Sequence, residues 1–414
     1  MESLSQMLQG FPDLNDYIQG QRLGTRQRAS LVGHVLAVAA YRRWLAATGG
    51  AARAERKLRE EQKKRVGLEL HARPWDRPRP EGQHYLSDGE IGQFERDGLL
   101  GPFRVMPRED AKALAADLQR SEEDFTRNCY LGQPVVQALK RHDGFKFDYS
   151  AVYQALRHQG LWDLTTSAPI AQRTASLLGE DVICWRSQLF EKRPGATGTF
   201  WHQNSVFREG SVAKKLYPTT PVDPGMIQLT AWVALTDSTV ENGALRMVPG
   251  TFVDGRLEHA YEYAYDNKLD FLASLPADRL EGFLRIGLFS SGPFAKAQAL
   301  FQETASRYKD MLAGRQVRDL PMQAGEAIIF TSLNMHASFA NQTKDDTRLA
   351  FVGRYANGDV RVHPNRTHDT FPTTEGDIPY PVAPLACIQV HGEDRLRHNH
   401  VVTRCGDPSA RPMP

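Results

Sequence analysis

Two of the thirteen histidines in this 414-residue chain stand apart from the rest. His202 closes the run Gly198-Thr199-Phe200-Trp201 and is followed by Gln203-Asn204. His336 follows Ala327-Ile328-Ile329-Phe330 and precedes Ser338, Asn341, Arg348 and Arg354. A mononuclear non-haem iron centre needs two imidazoles, usually with a carboxylate, on one face, leaving positions open for co-substrate and oxygen. The two histidines are 134 residues apart, a gap that a β-barrel bridges because hairpins bring remote strands together. Arg348, twelve residues after His336, would lie one strand further in. There its fork could hold the far carboxylate of 2-oxoglutarate in a bidentate pair, a geometry that Lys does not offer. Spacing alone leaves the alternative of two ordinary core or surface histidines open. His34, His142, His158, His368 and His398 have no ligand-like neighbours and are read as structural.

The elements that must position these residues are short and β-type. From about Asp181 the apolar runs Val182–Trp185, Gln188–Phe190, Ile227–Leu235, Ala244–Val248, Ala327–Phe330, Leu349–Tyr355 and Ile388–Val390 are separated by turn words. Those words are Pro194-Gly195, Pro224-Gly225, Asn242-Gly243 and Pro249-Gly250. Short strands with turn signals and no alternating helices indicate an antiparallel sandwich or barrel. Upstream, Ser87-Asp88-Gly89-Glu90 with Ile91, Phe94 and Leu99 reads as a capped amphipathic helix, and Ala111–Asp124 as another. Residues 255–317 form a more helical insertion with Tyr261, Tyr263, Phe271, Phe283 and Phe289, which reads equally well as a lid or as a plain cover on the barrel.

The first 80 residues differ in kind. Leu31–Leu45 reads as a helix ended by Gly49-Gly50, and Ala51–Val66 as an exposed helix laced with charge pairs. Three prolines between Arg73 and Pro80 then forbid helix, so the chain is divided into a helical extension, 1–80, and a second domain, 81–414. The excess of cations over anions is only two, which gives no reason to expect nucleic acid as a partner. No apolar run is long enough to span a bilayer, and no secretory signal opens the chain. Four scattered cysteines form no CxxC. A cytoplasmic location is expected.

The words around the two histidines resemble the iron(II)/2-oxoglutarate oxygenases of the phytanoyl-CoA dioxygenase superfamily. They are Cys184-Trp185-Arg186-Ser187-Gln188, Phe190, Lys192, Gly198-Thr199, Trp201-His202-Gln203, Thr230-Ala231-Trp232, Glu241-Asn242-Gly243, Val248-Pro249-Gly250-Thr251, His336-Ala337-Ser338 and Arg348 to Tyr355. The resemblance is greatest to the aliphatic, syringomycin-type halogenase branch, which also carries a tail like Cys387 to Asp394, and it runs from about Leu86 to Val402. It implies a mainly β fold with helical additions around a double-stranded β-helix, the cupin-like jelly roll. It implies iron(II) on His202 and His336, 2-oxoglutarate on Arg348, O2 as oxidant, and a co-substrate and halide pocket lined by Thr199, Thr230 and Trp232. Arg354 matches an arginine in the network beside the halide.

Two positions depart from the pattern. Hydroxylases of the superfamily carry Asp or Glu two residues after the first His and halogenases Ala or Gly, whereas this chain has Asn204. Gln188 stands where the halogenase pattern has Glu. The expectation is therefore an enzyme that oxidises an unactivated C–H bond of a small natural-product precursor in secondary metabolism or antibiotic biosynthesis, with chloride filling the place of the missing carboxylate. Its substrate would be a free or carrier-tethered amino acid or another metabolite, with a carrier protein as partner in the tethered case. The alternatives are a hydroxylase, desaturase or cyclase with Asn204 or water as third ligand, and a non-catalytic ligand-binding relative.

Overall fold

The computed structural model describes residues 69–142, 147–203, 215–254, 315–373 and 376–412, with scattered positions between 40 and 60. The two expected N-terminal helices and residues 255–314 of the insertion lie almost wholly outside the described residues, as does Asn204. One compact unit comprises Leu68–Val253, Gly314–Phe371 and Ile378–Pro414, and it contains His202, His336 and Arg348.

The first helix of this unit is α1 (Asp88–Asp97), whose Ser87 and Glu90 form the reciprocal capping box expected from the sequence. Strand β1 (Leu99–Arg104) leads to α2 (Arg108–Arg120) and α3 (Glu122–Arg127), so the single helix expected over Ala111–Asp124 is broken at Ser121. Helices α4 (Gln133–His142), α5 (Phe147–Ser150), α6 (Gln159–Thr165) and α7 (Ala168–Leu178) complete the helical layer. The β region then runs through β2 (Val182–Lys192), β3 (Thr199–His202), β4 (Leu216–Pro218), β5 (Leu229–Ala234), β6 (Leu245–Val248), β7 (Arg318–Leu320), β8 (Glu326–Thr331), β9 (Met335–Ser338) and β10 (Arg348–Asn357). It ends with β11 (Val360–Val362), β12 (His368–Thr373), β13 (Gly376–Pro381), β14 (Cys387–His391) and β15 (Val401–Val402).

Among the described residues these strands form a large sheet of order β1-β8-β5-β10-β2-β14-β15 and a smaller one of order β3-β9-β6-β7. The fold is the jelly-roll core expected of the resemblance, mainly β with helical additions and not a closed barrel. Successive side chains of a strand point to opposite faces, and central strand β10 shows the consequence. Leu349, Phe351 and Tyr355 join the cluster that includes Ile170 and Leu178 of α7 and Leu161 of α6. Ala350 and Val352 face the other way, into a core shared with Leu245 and Met247 of β6 and Leu320 of β7. Both faces of the large sheet are thus covered, which explains why its strands read as apolar runs without alternation.

One joint fixes the end of β9. Gly98 terminates α1 at φ +63°, and its N–H donates to Phe94 O. The Asn334 side chain, fully buried just before β9, donates to Asp97 O at 2.8 Å and to Gly98 O at 2.9 Å. A Cβ on Gly98 would stand 2.7 Å from Asn334 Nδ2 and 2.8 Å from Phe252 and Thr331. The left-handed backbone and the crowding together set the cost of Gly98→Ala at about 3 kcal/mol. Urea unfolding should show that loss with an unchanged m value; a change below about 0.5 kcal/mol would mean that the joint is slack.

Candidate active site

The inner face between the two sheets carries polar groups in a pattern that the apolar core does not need. His202 of β3 and His336 of β9 are direct register partners in the smaller sheet. Their ring centroids lie 4.2 Å apart at an interplanar angle of 49°. The Nδ1 of His336 is 2.8 Å from Asn334 O, so a proton on Nδ1 is shared with that carbonyl and Nε2 keeps its lone pair. This is the arrangement by which protein carbonyls orient metal-binding imidazoles. Burial first, and then neighbouring His202, push the His336 pKa well down, so the ring stays neutral and available as a ligand. Phe330 packs against it at 5.1 Å between centroids. Among the described residues no group of three or more His, Cys, Asp or Glu side chains is placed to hold a metal ion.

The facing sheet supplies cations. On β2 and β10 the inward register pairs are Lys192 with Arg348, Phe190 with Ala350, Gln188 with Val352, and Arg186 with Arg354. Arg348, the residue expected to hold a carboxylate, opens β10, the strand after that of His336, in the sheet opposite the histidines. It is buried, its guanidinium sits over the Trp232 ring at 5.4 Å, and its Nε has no hydrogen-bond partner. Burial lowers its pKa, against a smaller opposing effect of Asp148. A buried guanidinium with an unsatisfied donor suits an incoming carboxylate, so the residues present fit the co-substrate.

Lys192, beside it, is fully engaged. Its Nζ donates to Ser338 Oγ at 2.8 Å, Phe339 O at 2.7 Å and Thr197 O at 3.0 Å. Ser338 Oγ in turn accepts from the Thr199 backbone N–H at 3.2 Å, so Lys192 ties the large sheet to β9 and β3. A Cβ on Gly243 would strike the Lys192 stem, which accounts for glycine in the word Glu241-Asn242-Gly243.

The remaining expected residues divide between the two ends of this face. Trp232 and Thr199 belong to the Arg348 end, Thr199 being exposed and contributing its backbone N–H. Thr230 is buried in register with Arg354, whose charge reaches His336. Gln188 is buried and accepts from Arg186 Nη2 at 3.4 Å. Asn204 lies outside the described residues. Sequence reasoning did not single out Lys192 as the clamp, nor Asn334 as the residue that places His336; both are polar residues whose meaning depends on contacts across the fold. It also passed over Lys215, His363, Arg366 and Asp369.

Comparison with known proteins gives the family and the fold. The profile of the phytanoyl-CoA dioxygenase family matches residues 94–350, more than half of the chain, and the chain belongs to that family of iron(II)/2-oxoglutarate-dependent oxygenases. Iron(II), 2-oxoglutarate and O2 are the cofactors of the family. The ectoine dioxygenase of Bordetella bronchiseptica is 25% identical over 169 residues, 40% of this chain and 49% of that protein. The ectoine dioxygenase of Bordetella parapertussis gives the same identity and coverage. The chain thus spans about half the length of the curated relatives it matches. Among solved structures, CytC3 with Fe(II) and alpha-ketoglutarate is 22% identical at a TM-score of 0.54, over 80% of this chain and 99% of that one, a likeness of fold. No helix among the described residues is long and apolar enough to cross a membrane.

The Lys192 clamp has a pH signature. Burial, and then Arg348, push its pKa from 10.5 down to about 8. Below pH 8 both folded and unfolded chains hold the proton, so nothing changes there. Between pH 8 and 10.5 the folded chain has released a proton that the unfolded chain keeps, so the Lys192 contribution to stability rises with pH. Urea unfolding across that window should show the rise, and Lys192→Met should remove part of it. An identical pH slope in the variant would contradict the assignment.

Proposed function

We propose that this chain oxidises an unactivated C–H bond of a small natural-product precursor, with His202 and His336 holding iron(II) and Arg348 holding the distal carboxylate of 2-oxoglutarate. The observation that carries the reading is the meeting of His202 and His336 in direct register, with Nε2 of His336 left unprotonated. Bound iron with 2-oxoglutarate and O2 supplies the oxidation by which hydrogen leaves carbon while 2-oxoglutarate becomes succinate and CO2. The residues of the chain orient the imidazoles through Asn334, anchor the co-substrate through Arg348, and keep water from the inner face through Trp232 and Phe330.

Halogenation is the outcome that the missing acidic ligand favours. Asn204 is neutral, and a neutral amide is a weak iron ligand beside an available anion, so chloride would supply the charge that a carboxylate supplies in the hydroxylases. The second reading, hydroxylation, desaturation or ring closure, is favoured by the bulk of Asn204 relative to the Ala or Gly of the halogenases that the sequence resembles. The substrate is an amino acid, free or tethered to a carrier protein, or another metabolite of similar size.

His202→Ala and His336→Ala should each abolish substrate-dependent succinate formation, because one imidazole cannot hold the metal alone. Arg348→Ala should weaken 2-oxoglutarate tens-fold or more, the roughly 2–5 kcal/mol of a truncated buried charge pair, and leave iron affinity nearly intact. Normal turnover of either His variant would overturn the metal assignment. Unchanged co-substrate affinity in Arg348→Ala would move that role to another arginine. The choice between outcomes rests on position 204: product analysis in chloride and bromide should show halogen, Asn204→Asp should direct the site to hydroxylation, and Asn204→Ala should strengthen halide dependence. Halogen-free product from the wild type in saturating halide would establish the hydroxylase-like reading.

A further inference from the structure

The 2-oxoglutarate role of Arg348 explains only one end of the inner face. The other end holds a second like-charge pair in register, Arg186 opposite Arg354, about 20 Å further along the strand pair at roughly 3.4 Å per residue. Like charges directly opposite one another on a sheet face destabilise it. Beyond Arg186 the positive charge continues through Lys215 and Arg366, with the neutral imidazole of His363 beside them, and the Arg186 charge acts on both Lys215 and His363.

The described carboxylate in this group is Asp369, buried at 1% side-chain exposure. Lys215 Nζ reaches its Oδ2 at 2.9 Å, Tyr380 Oη donates to the same oxygen at 3.2 Å, and Arg366 Nη1 approaches Oδ1 at 3.6 Å. One carboxylate therefore answers two cationic side chains, Lys215 and Arg366. The donors are also left over. His363 is only 7% exposed, and neither of its ring nitrogens has a hydrogen-bond partner. Arg366 Nη1 and Arg186 Nε are likewise buried without one. Buried polar atoms in native proteins are almost always satisfied, so unsatisfied donors gathered in one place mark a missing acceptor.

Backbone conformation points to the same spot. Tyr153 (φ 65°) and His363 (φ 48°) are two of the four non-glycine residues at positive φ among the described residues, and both border Arg186. The Tyr153 ring lies 5.9 Å from the Arg186 guanidinium, and its N–H bonds Ser187 O at 2.9 Å. A bulky side chain in this region is a strained one, and such strain gathers at ligand sites.

We propose that Arg186, Lys215, His363 and Arg366 form an oxyanion pocket beside the iron site that binds a carboxylate or phosphate group of the substrate. This deepens the proposed function, on which it rests, by naming the substrate class: a small molecule with an anionic terminus. The anion supplies the acceptors that His363, Arg366 and Arg186 lack and separates the like charges of the pocket. Arg348 and Arg186, six register positions apart on the β2–β10 strand pair, would then hold co-substrate and substrate by their carboxylate-type ends.

The test uses the full-length protein without iron, titrated calorimetrically with inorganic phosphate and, in a parallel arm, with acetate. A saturable response to at least one is expected, with phosphate the tighter for a phosphate-ester substrate and acetate for a carboxylic acid. Arg366→Gln and Lys215→Met should each weaken it at least tenfold, whereas a saturable response should remain in Arg348→Ala, which lacks the 2-oxoglutarate cradle. Asp369→Asn removes the competing carboxylate and should tighten binding several-fold, a gain that no folding defect produces. Absence of a response in the wild type, equal binding by Arg366→Gln, or loss in Arg348→Ala would overturn the proposal, the last by placing the anion in the 2-oxoglutarate cradle. The anion response is independent of the metal: if the wild type fails to bind iron yet still binds phosphate through Arg366, the enzymatic reading falls and the pocket stands.

Discussion

Positive charge held between two sheets is the constraint on which the structure turns. Transferring a cation from water into a protein interior costs several kcal/mol even after relaxation, and a like-charged partner in direct register adds to that cost. The strand pair β2–β10 does this twice, with Lys192 opposite Arg348 and Arg186 opposite Arg354. A chain selected for stability alone would place apolar residues at these positions, as it does at Ala350 and Val352 between them. The cations make sense as half of an interaction whose other half arrives with anionic ligands.

The rest of the fold holds this arrangement still. The outward residues of the same strands pack under α6 and α7, and that apolar burial offsets the polar interior. Lys192 satisfies its own ammonium by joining the two sheets through Ser338 and two backbone carbonyls. The capped helix α1 ends at Gly98 where Asn334 can reach its last carbonyls, and the carbonyl of Asn334 then sets the His336 ring. A helix stop, a buried amide and an imidazole thus form one continuous set of hydrogen bonds from the surface to the proposed metal. Misplacing any of them by an ångström would misplace the ring, since such sites demand tight positional tolerance.

Much of this is legible in the residues. The capping box at Ser87 and Glu90 is a local pattern, and the strand runs declare themselves because both faces of the large sheet are covered. His202 and His336 can be paired from flanking words, but their direct register depends on sheet order, which the residues do not encode locally. Arg348 reads as one strand beyond His336 and does open the next strand, β10, but its place in the opposite sheet is not encoded locally. The Ser121 break between α2 and α3 is hidden because apolar spacing continues across it. His363, Arg366 and Asp369 follow one another across the β11–β12 connection, but Lys215 and Arg186 come from distant segments, and only the folded chain brings them to one place.

The most direct measurement is a crystal structure of the protein prepared without oxygen and loaded with iron(II), 2-oxoglutarate and bromide. The account predicts iron on Nε2 of His336 and on the His202 ring, the keto-acid end of 2-oxoglutarate on the metal, and its distal carboxylate on Arg348. Bromide should occupy the remaining anionic position, located by its anomalous signal. Iron bound away from the two histidines, or a co-substrate carboxylate seated on Arg186 and Arg366 instead of Arg348, would contradict the account.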